Sequence, residues 1–275
     1  WEIRVLVGLP AETNGPEVNM ALSDLDGDGV PEIIATHFFT SDHITVFGAP
    51  AGGQWKDVDP ERRPLRRKTI MTGQGRPFAV EPEDLNGDGR DELATGIPDD
   101  DGPTTAPVTD GGALIVSQYF PTTGLDPVKL VRQSAGLDAP EAGDRFAGAS
   151  FSGVYPRAKQ LASCDFNHDG FDDLAVGIPA EDFGAVGSAG AVQVHYGRAG
   201  SFPGFGSEFS TQNTAGIPGD AEASDGFGEA VACGDFDGDG FSDLVIGVSA
   251  EDLGTFGTNA GMIEILPGFS GGLAS

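Results

Sequence analysis

Four short stretches of this 275-residue chain gather oxygen donors at a spacing that suits a hard divalent cation. They are Asp24-Leu25-Asp26-Gly27-Asp28-Gly29, Asp84-Leu85-Asn86-Gly87-Asp88-Gly89, Asp165-Phe166-Asn167-His168-Asp169-Gly170 and Asp235-Phe236-Asp237-Gly238-Asp239-Gly240. Calcium takes about six to eight oxygens, and a loop with side chains at positions 1, 3 and 5, a carbonyl at 7 and a carboxylate at 9 wraps most of that sphere. Copy one offers Asp24, Asp26, Asp28, the carbonyl of Val30 and Glu32; copy two offers Asp84, Asn86, Asp88, the carbonyl of Arg90 and Glu92. Copy three offers Asp165, Asn167, Asp169, the carbonyl of Phe171 and Asp173, and copy four offers Asp235, Asp237, Asp239, the carbonyl of Phe241 and Asp243.

Glycine at position 6 permits the sharp turn that brings early and late ligands together. An EF-hand would add Glu at position 12 between two helices, but position 12 is Ala35, Thr95, Val176 and Ile246, each in a strand-like run. An Asp/Gly-rich turn without metal needs no acid at position 9, so the recurrence of one there argues for Ca2+, one ion per loop and about four in all. Asn86 and Asn167 leave copies two and three one charge short, which predicts weaker binding there.

The loops recur at intervals of roughly 60 to 80 residues, the signature of stacked or radial units too small to bury a core alone. Approximate repeats are 1–50, 60–120, 126–197 and 205–270 of a single domain spanning 1–275. Strand-like runs precede the loops (Leu161 to Cys164, Ala230 to Cys233) and follow them (Leu174 to Val176, Leu244 to Ile246). A third strand is expected at His43 to Phe47, Ala113 to Ser117, Ala191 to Tyr196 and Met262 to Leu266. An opening segment starts each unit: Glu2 to Val7, Leu65 to Met71, Val128 to Gln133 and Glu208 to Thr211. Four strands per unit make a propeller blade, so the fold expected is all-β, a β-propeller of four-stranded antiparallel blades. If each opening strand is the outer edge of the preceding blade, Glu2 to Val7 could complete the last blade of a closed four-bladed ring; a part of a larger propeller fits equally.

Acidic residues number 43 against 15 basic, a formal charge of −28, which excludes nucleic acid as an expected partner. No stretch is apolar and long enough to span a bilayer, so membrane insertion is not expected. Cys164 and Cys233 hold nearly matching repeat positions and admit either a bridge between adjacent blades or two buried thiols. Five basic residues crowd Arg62-Arg63-Pro64-Leu65-Arg66-Arg67-Lys68, where they could dock an acidic partner or glycan, or pair internally. Trp1, Phe38, Phe39 and Trp55 are the aromatics to examine for glycan contact. Asp99, Asp100, Asp101, Glu181, Asp182, Glu251 and Asp252 follow the second strands and could line a face or serve solubility. No serine nucleophile arrangement is present.

Phe146-Ala147-Gly148 and Phe227-Gly228 upstream of loops, with Gly96-Ile97-Pro98, Gly177-Ile178-Pro179 and Gly247-Val248-Ser249 downstream, resemble the FG-GAP repeat of integrin α-subunit propellers and bacterial relatives. The first repeat departs from it, with Thr36-His37-Phe38 in the downstream position and no Phe-Gly before Asp24. The resemblance implies a propeller, seven-bladed in most of the family, with calcium loops on one face and a ligand face opposite. The functional expectation is a calcium-stabilised extracellular recognition or adhesion module for a protein or glycan partner, able to associate with further blades or another subunit. A lectin-like polysaccharide binder and a secreted glycan hydrolase or lyase remain alternatives.

Overall fold

The structure is a computed structural model and describes residues 20–36, 43–59, 62, 64–71, 77–100, 111–120, 124–131, 146–147, 159–200, 202, 206–254 and 257–274. Its strands form antiparallel sheets in chain order. The first holds β1 (Met20–Ser23), β2 (Glu32–Thr36), β3 (His43–Gly48) and β4 (Arg66–Met71). The second holds β5 (Val80–Glu83), β6 (Glu92–Ile97), β7 (Ala113–Phe120) and β8 (Gly124–Val131), and the third holds β9 (Leu161–Cys164), β10 (Asp173–Ile178), β11 (Ala191–His195) and β12 (Ser207–Ser210). The fourth comprises β13 (Phe227–Gly234), β14 (Asp243–Val248) and β15 (Met262–Leu266), followed by a small hairpin of β16 (Gly268–Phe269) and β17 (Gly272–Leu273).

The phase of the repeat follows from these pairings. Opening segments of units two, three and four become β4, β8 and β12, each the outer strand of the preceding sheet. The second of them starts earlier than its sequence pattern suggested, because β7 and β8 pair as far as Phe120 opposite Gly124, with a register shift at Val116 and Ser117. The expected strand Glu2 to Val7 lies outside the described residues.

Apolar side chains on both faces of a sheet are buried only when another sheet covers each face. Three clusters lie between successive sheets: Ile34, Ile44 and Val46 with Val80 and Leu93; Leu114 and Val116 with Leu161 and Leu174; Val192 and Val194 with Val231 and Leu244. Accordingly β6, β10 and β11 are buried throughout, whereas β15 alternates between half-buried and exposed positions up to the buried Leu266. The two ends of the array stay open among the described residues, which close no ring. Met20 and Leu22 on β1 are 65% and 68% exposed, and Ile263 and Ile265 on β15 are 71% and 49% exposed.

Two devices fix the spacing of the blades. Cys164 at the end of β9 is disulfide-bonded to Cys233 on β13, with Cα atoms 6.3 Å apart across 69 residues of sequence, so the two cysteines are bridged and not separate thiols. Closing a loop of that length removes about 4 kcal/mol of unfolded-chain entropy in the loop-closure account. The second device is a glycine on the second strand of blades two and three. A Cβ on Gly96 would lie 2.1 Å from the carbonyl oxygen of Ala147, and one on Gly177 would lie 2.1 Å from that of Gly228. In blade four the matching Gly247 meets nothing nearer than 3.3 Å, the Ala230 Cβ. Gly177→Ala is therefore expected to lower stability by about 1–3 kcal/mol in urea denaturation, with Gly247→Ala costing distinctly less.

Candidate metal centres in the acidic loops

Each loop links the first strand of a blade to the second, and its own backbone amides fold onto its acids. Asp24, Asp84 and Asp165 at position 1 accept from the amides of positions 5 and 6, at 3.0 and 2.8 Å in the first loop. Asp235 accepts from Gly238 and Gly240 instead. The acids at position 5, Asp28, Asp88, Asp169 and Asp239, accept from the amide at position 7. These side-chain bonds leave lone pairs on each carboxylate, so a closed turn and a metal loop are compatible.

The position-9 acid is the least exposed member. Glu32, Glu92, Asp173 and Asp243 are all buried, and each opens a second strand. Glu32, Asp173 and Asp243 accept the amide of position 2, from Leu25, Phe166 and Phe236, at 3.1, 2.9 and 2.9 Å. Asp173 and Asp243 also accept from Gly197 and Gly268, just past the third strand. Sequence reasoning identified these residues only as ligands and missed this clip; their place at a strand start was the available signal.

Burial raises three of the position-9 acids, Glu32, Glu92 and Asp173. Glu32 is pushed up to about 7, first by burial and then by the charge of Asp26, with Arg66 opposing. Glu92 is pushed up to about 7 by burial and then by Asp88, and Asp173 to about 7 by burial against its two amide bonds. Between the second and third loops Glu83 is raised to about 7, by burial and the nearby Asp172 and Asp91, and Asp172 is raised with it.

The loops differ in how well they fit a cation. Asp24, Asp26 and Glu32 converge in loop one, and Asp235, Asp237 and Asp239 converge in loop four, each set with oxygens within 4.8 Å of one another. Loop two is short of partners. Asn86 donates its amide to Glu92 Oε1, while Asn86 Oδ1 and Glu92 Oε2 are buried without a hydrogen bond. Two buried oxygen acceptors without a partner are of the type a calcium ion takes as ligands. In loop three Asn167 Oδ1 and Asp173 are held by backbone amides at ligand positions. Loop one fits less well, because the Arg66 guanidinium already contacts Asp26, Asp28 and Glu32 at 2.8, 3.4 and 3.1 Å. The basic segment thus pairs internally at Arg66, and with its own blade.

Loops two, three and four touch in succession. The Phe171 ring packs over Gly87, where a Cβ would come within 2.5 Å of it, and the His168 and Phe241 rings meet edge to face at 5.5 Å. The extra acids elsewhere are turn components. Asp100, Glu181 and Glu251 are buried, and their carbonyls accept from Gly112, Gly190 and Gly261. Asp182 and Asp252 cap Ser188 and Asn259. Trp55 donates its indole N–H to Pro31. Trp1, Phe38, Phe39 and Asp101 lie outside the described residues.

Because Glu32, Glu92 and Asp173 titrate near 7 when folded and near 4 when unfolded, the metal-free folded state binds more protons than the unfolded state in that window. Stability of the metal-stripped protein is therefore expected to fall as pH rises from about 4.5 through 7, and Glu92→Gln should flatten the slope in thermal melts. Calcium reverses the trend, since it binds the deprotonated acids.

Comparison with known proteins places these loops in a family. The FG-GAP repeat family matches residues 159–195 and 227–265, and the FG-GAP-like repeat family matches residues 24–95. The phosphatidylinositol-glycan-specific phospholipase D of Mus musculus is 31% identical over 148 residues, covering 54% of this chain and 16% of the relative. That of Rattus norvegicus is 36% identical over 167 residues, covering 59% and 17%. The chain thus spans about a sixth of the length of these relatives. Every acidic loop falls within a matched segment, and the chain belongs to the FG-GAP repeat proteins.

Proposed function

We propose that this chain is a calcium-stabilised extracellular recognition module, its loops bound to Ca2+ and its blades presenting a surface to a protein or glycan ligand. The observation that carries the calcium reading is the pair of buried, unpartnered oxygens on Asn86 and Glu92, ligand positions 3 and 9 of loop two. Burying such groups unpaired costs about 1–3 kcal/mol each, which a coordinated cation offsets. The extracellular setting is supported by the Cys164–Cys233 bridge, since such bonds persist in oxidising compartments. Extracellular calcium modules bind at about 10⁻⁴–10⁻³ M, affinities that serve outside cells.

At a dissociation constant of about 10⁻⁴ M, 10 mM calcium stabilises by about 2.7 kcal/mol per independent site. Thermal unfolding with calcium and after stripping should differ by many degrees, with bound ions visible in native mass spectrometry. An unchanged melting temperature and no bound ion would sink the reading. Recognition is read on immobilised glycans with and without calcium: calcium-dependent retention supports a glycan ligand, and release of new reducing ends would make the chain a hydrolase.

A further blade is the partner that the packing supports best. Ile44 and Val46, Leu114 and Val116, and Val192 and Val194 are buried by the following sheet, whereas the matching Ile263 and Ile265 are exposed. Phe236, at the loop position where Leu25, Leu85 and Phe166 are buried, is 58% exposed. Phe146 and Phe227 donate their amides to Gly111 and Ala189 and bridge Gly112 and Gly190 in parallel. In blade four the corresponding Ala260 and Gly261 line an open groove of about 620 Å³ with Gly247 and Ile263. The occupant that fits is the Phe-Gly edge of another FG-GAP blade. A peptide copying Ser224–Ala232 should shift the NMR amides of Gly247, Ala260, Gly261 and Ile263, and the same peptide with Phe227→Ala should not. Equal shifts from both peptides would overturn this, and self-association of the chain abolished by Ile263→Arg would assign the groove to a second copy.

A further inference from the structure

Arg66 reaches into acidic loop one, and its position is built from three separate features. Its strand register puts it opposite Gly48 on β3. Gly48 lacks the side chain that would block it: a Cβ there would sit 3.0 Å from both Nε and Nη2 of Arg66. The guanidinium lies across that gap, with Nε donating to the carbonyl of Ala49 at 2.7 Å. Its remaining nitrogens reach Asp26, Asp28 and Glu32, the ligand positions 3, 5 and 9 of loop one. Asp26 and Glu32 are nearly buried at these contacts, so the pairing acts where solvent screens little. A planar fork with several donors matches two or three carboxylates at once, as a lysine cannot.

Loop two shows the same site without such a cation. There the residue opposite Glu92 is Gln118, whose amide donates to Asp88 at 2.9 Å, and Gln118 pairs in register with Asp126 of β8. The β8 position matching Arg66 is thus acidic. Glu92 Oε2 has no hydrogen bond, whereas both oxygens of Glu32 are taken, one by Leu25 and one by Arg66. Loop one has four carboxylates where loop two has three, so it is the loop that ligand charge alone would rank among the strongest calcium binders. Its geometry says otherwise.

We propose that Arg66 replaces calcium as the resident cation of loop one, leaving loops two, three and four to bind the ion. This rests on the calcium reading of the other loops, and one experiment separates the two. Native mass spectrometry of the full chain in excess calcium should count three ions for the wild type and four for Arg66→Met, which keeps an apolar stem but no charge. Asp24→Asn should leave the wild-type count at three and return the Arg66→Met chain to three. Titration should show the fourth site of Arg66→Met absent from the wild type over the same calcium range. A wild-type count of four that Asp24→Asn lowers to three would overturn the proposal while the calcium reading stands, and it needs no Arg66 variant to fold. A folded Arg66→Met chain that still counts three would overturn it as well. No ion in any variant would instead overturn the calcium reading itself.

Discussion

The buried acid at position 9 holds each blade together locally. It begins the second strand, in blades one, three and four accepts the amide of loop position 2, and in blades three and four also receives the amide just past the third strand. One carboxylate thereby fixes three chain segments that a sheet ladder alone would leave free to slide. Such an acid is costly to bury charged, and Glu32, Glu92 and Asp173 are pushed up to about 7 for that reason. The loop's demand for a positive charge is a consequence of this arrangement.

Blade packing imposes the second constraint. The carbonyl after the Phe of one blade comes so near the second strand of the blade before it that only glycine fits at Gly96 and Gly177. The Phe itself is buried, as Phe146 and Phe227 are, and its amide is fixed by the preceding blade. The two halves of the repeat motif, Phe-Gly upstream and Gly downstream, are therefore opposite sides of one contact between neighbouring units. In blade one Thr36 stands where the glycine would be, and its hydroxyl donates to the carbonyl of Phe78, so a polar contact takes the place of close approach.

Much of this was legible in the sequence because it is periodic. The acid spacing, the position-6 glycines and the strands around them recur in every copy, and the opening segments that pattern placed at Leu65 and Glu208 do join the preceding sheets. What escaped was whatever depends on a partner far along the chain. The bridge between Cys164 and Cys233 was one of two open readings, since geometry across 69 residues decides it. The role of Arg66 lay hidden in a run of five basic residues, where only the register opposite Gly48 distinguishes it from Arg67. The buried carboxylates after the second strands looked like a surface face because a turn that hides Glu181 or Glu251 has no pattern of its own.

The charge of −28 has different meanings at different places in the chain. An acid on an open surface is well solvated and loses little by having no partner. Buried acids at loop position 9 have no such refuge, and each must take a proton, a cation from solution or a cation from the chain. A proton serves only below about pH 7 at Glu32, Glu92 and Asp173, and an ion only where the medium holds enough of it. Arginine serves everywhere, but it must arrive from a strand of fixed register and cross a neighbour with no side chain, a condition that Gly48 meets for Arg66. Repeats of one ancestral pattern can therefore differ in their dependence on the medium through a single residue on the outer strand, with the loop sequence itself unchanged.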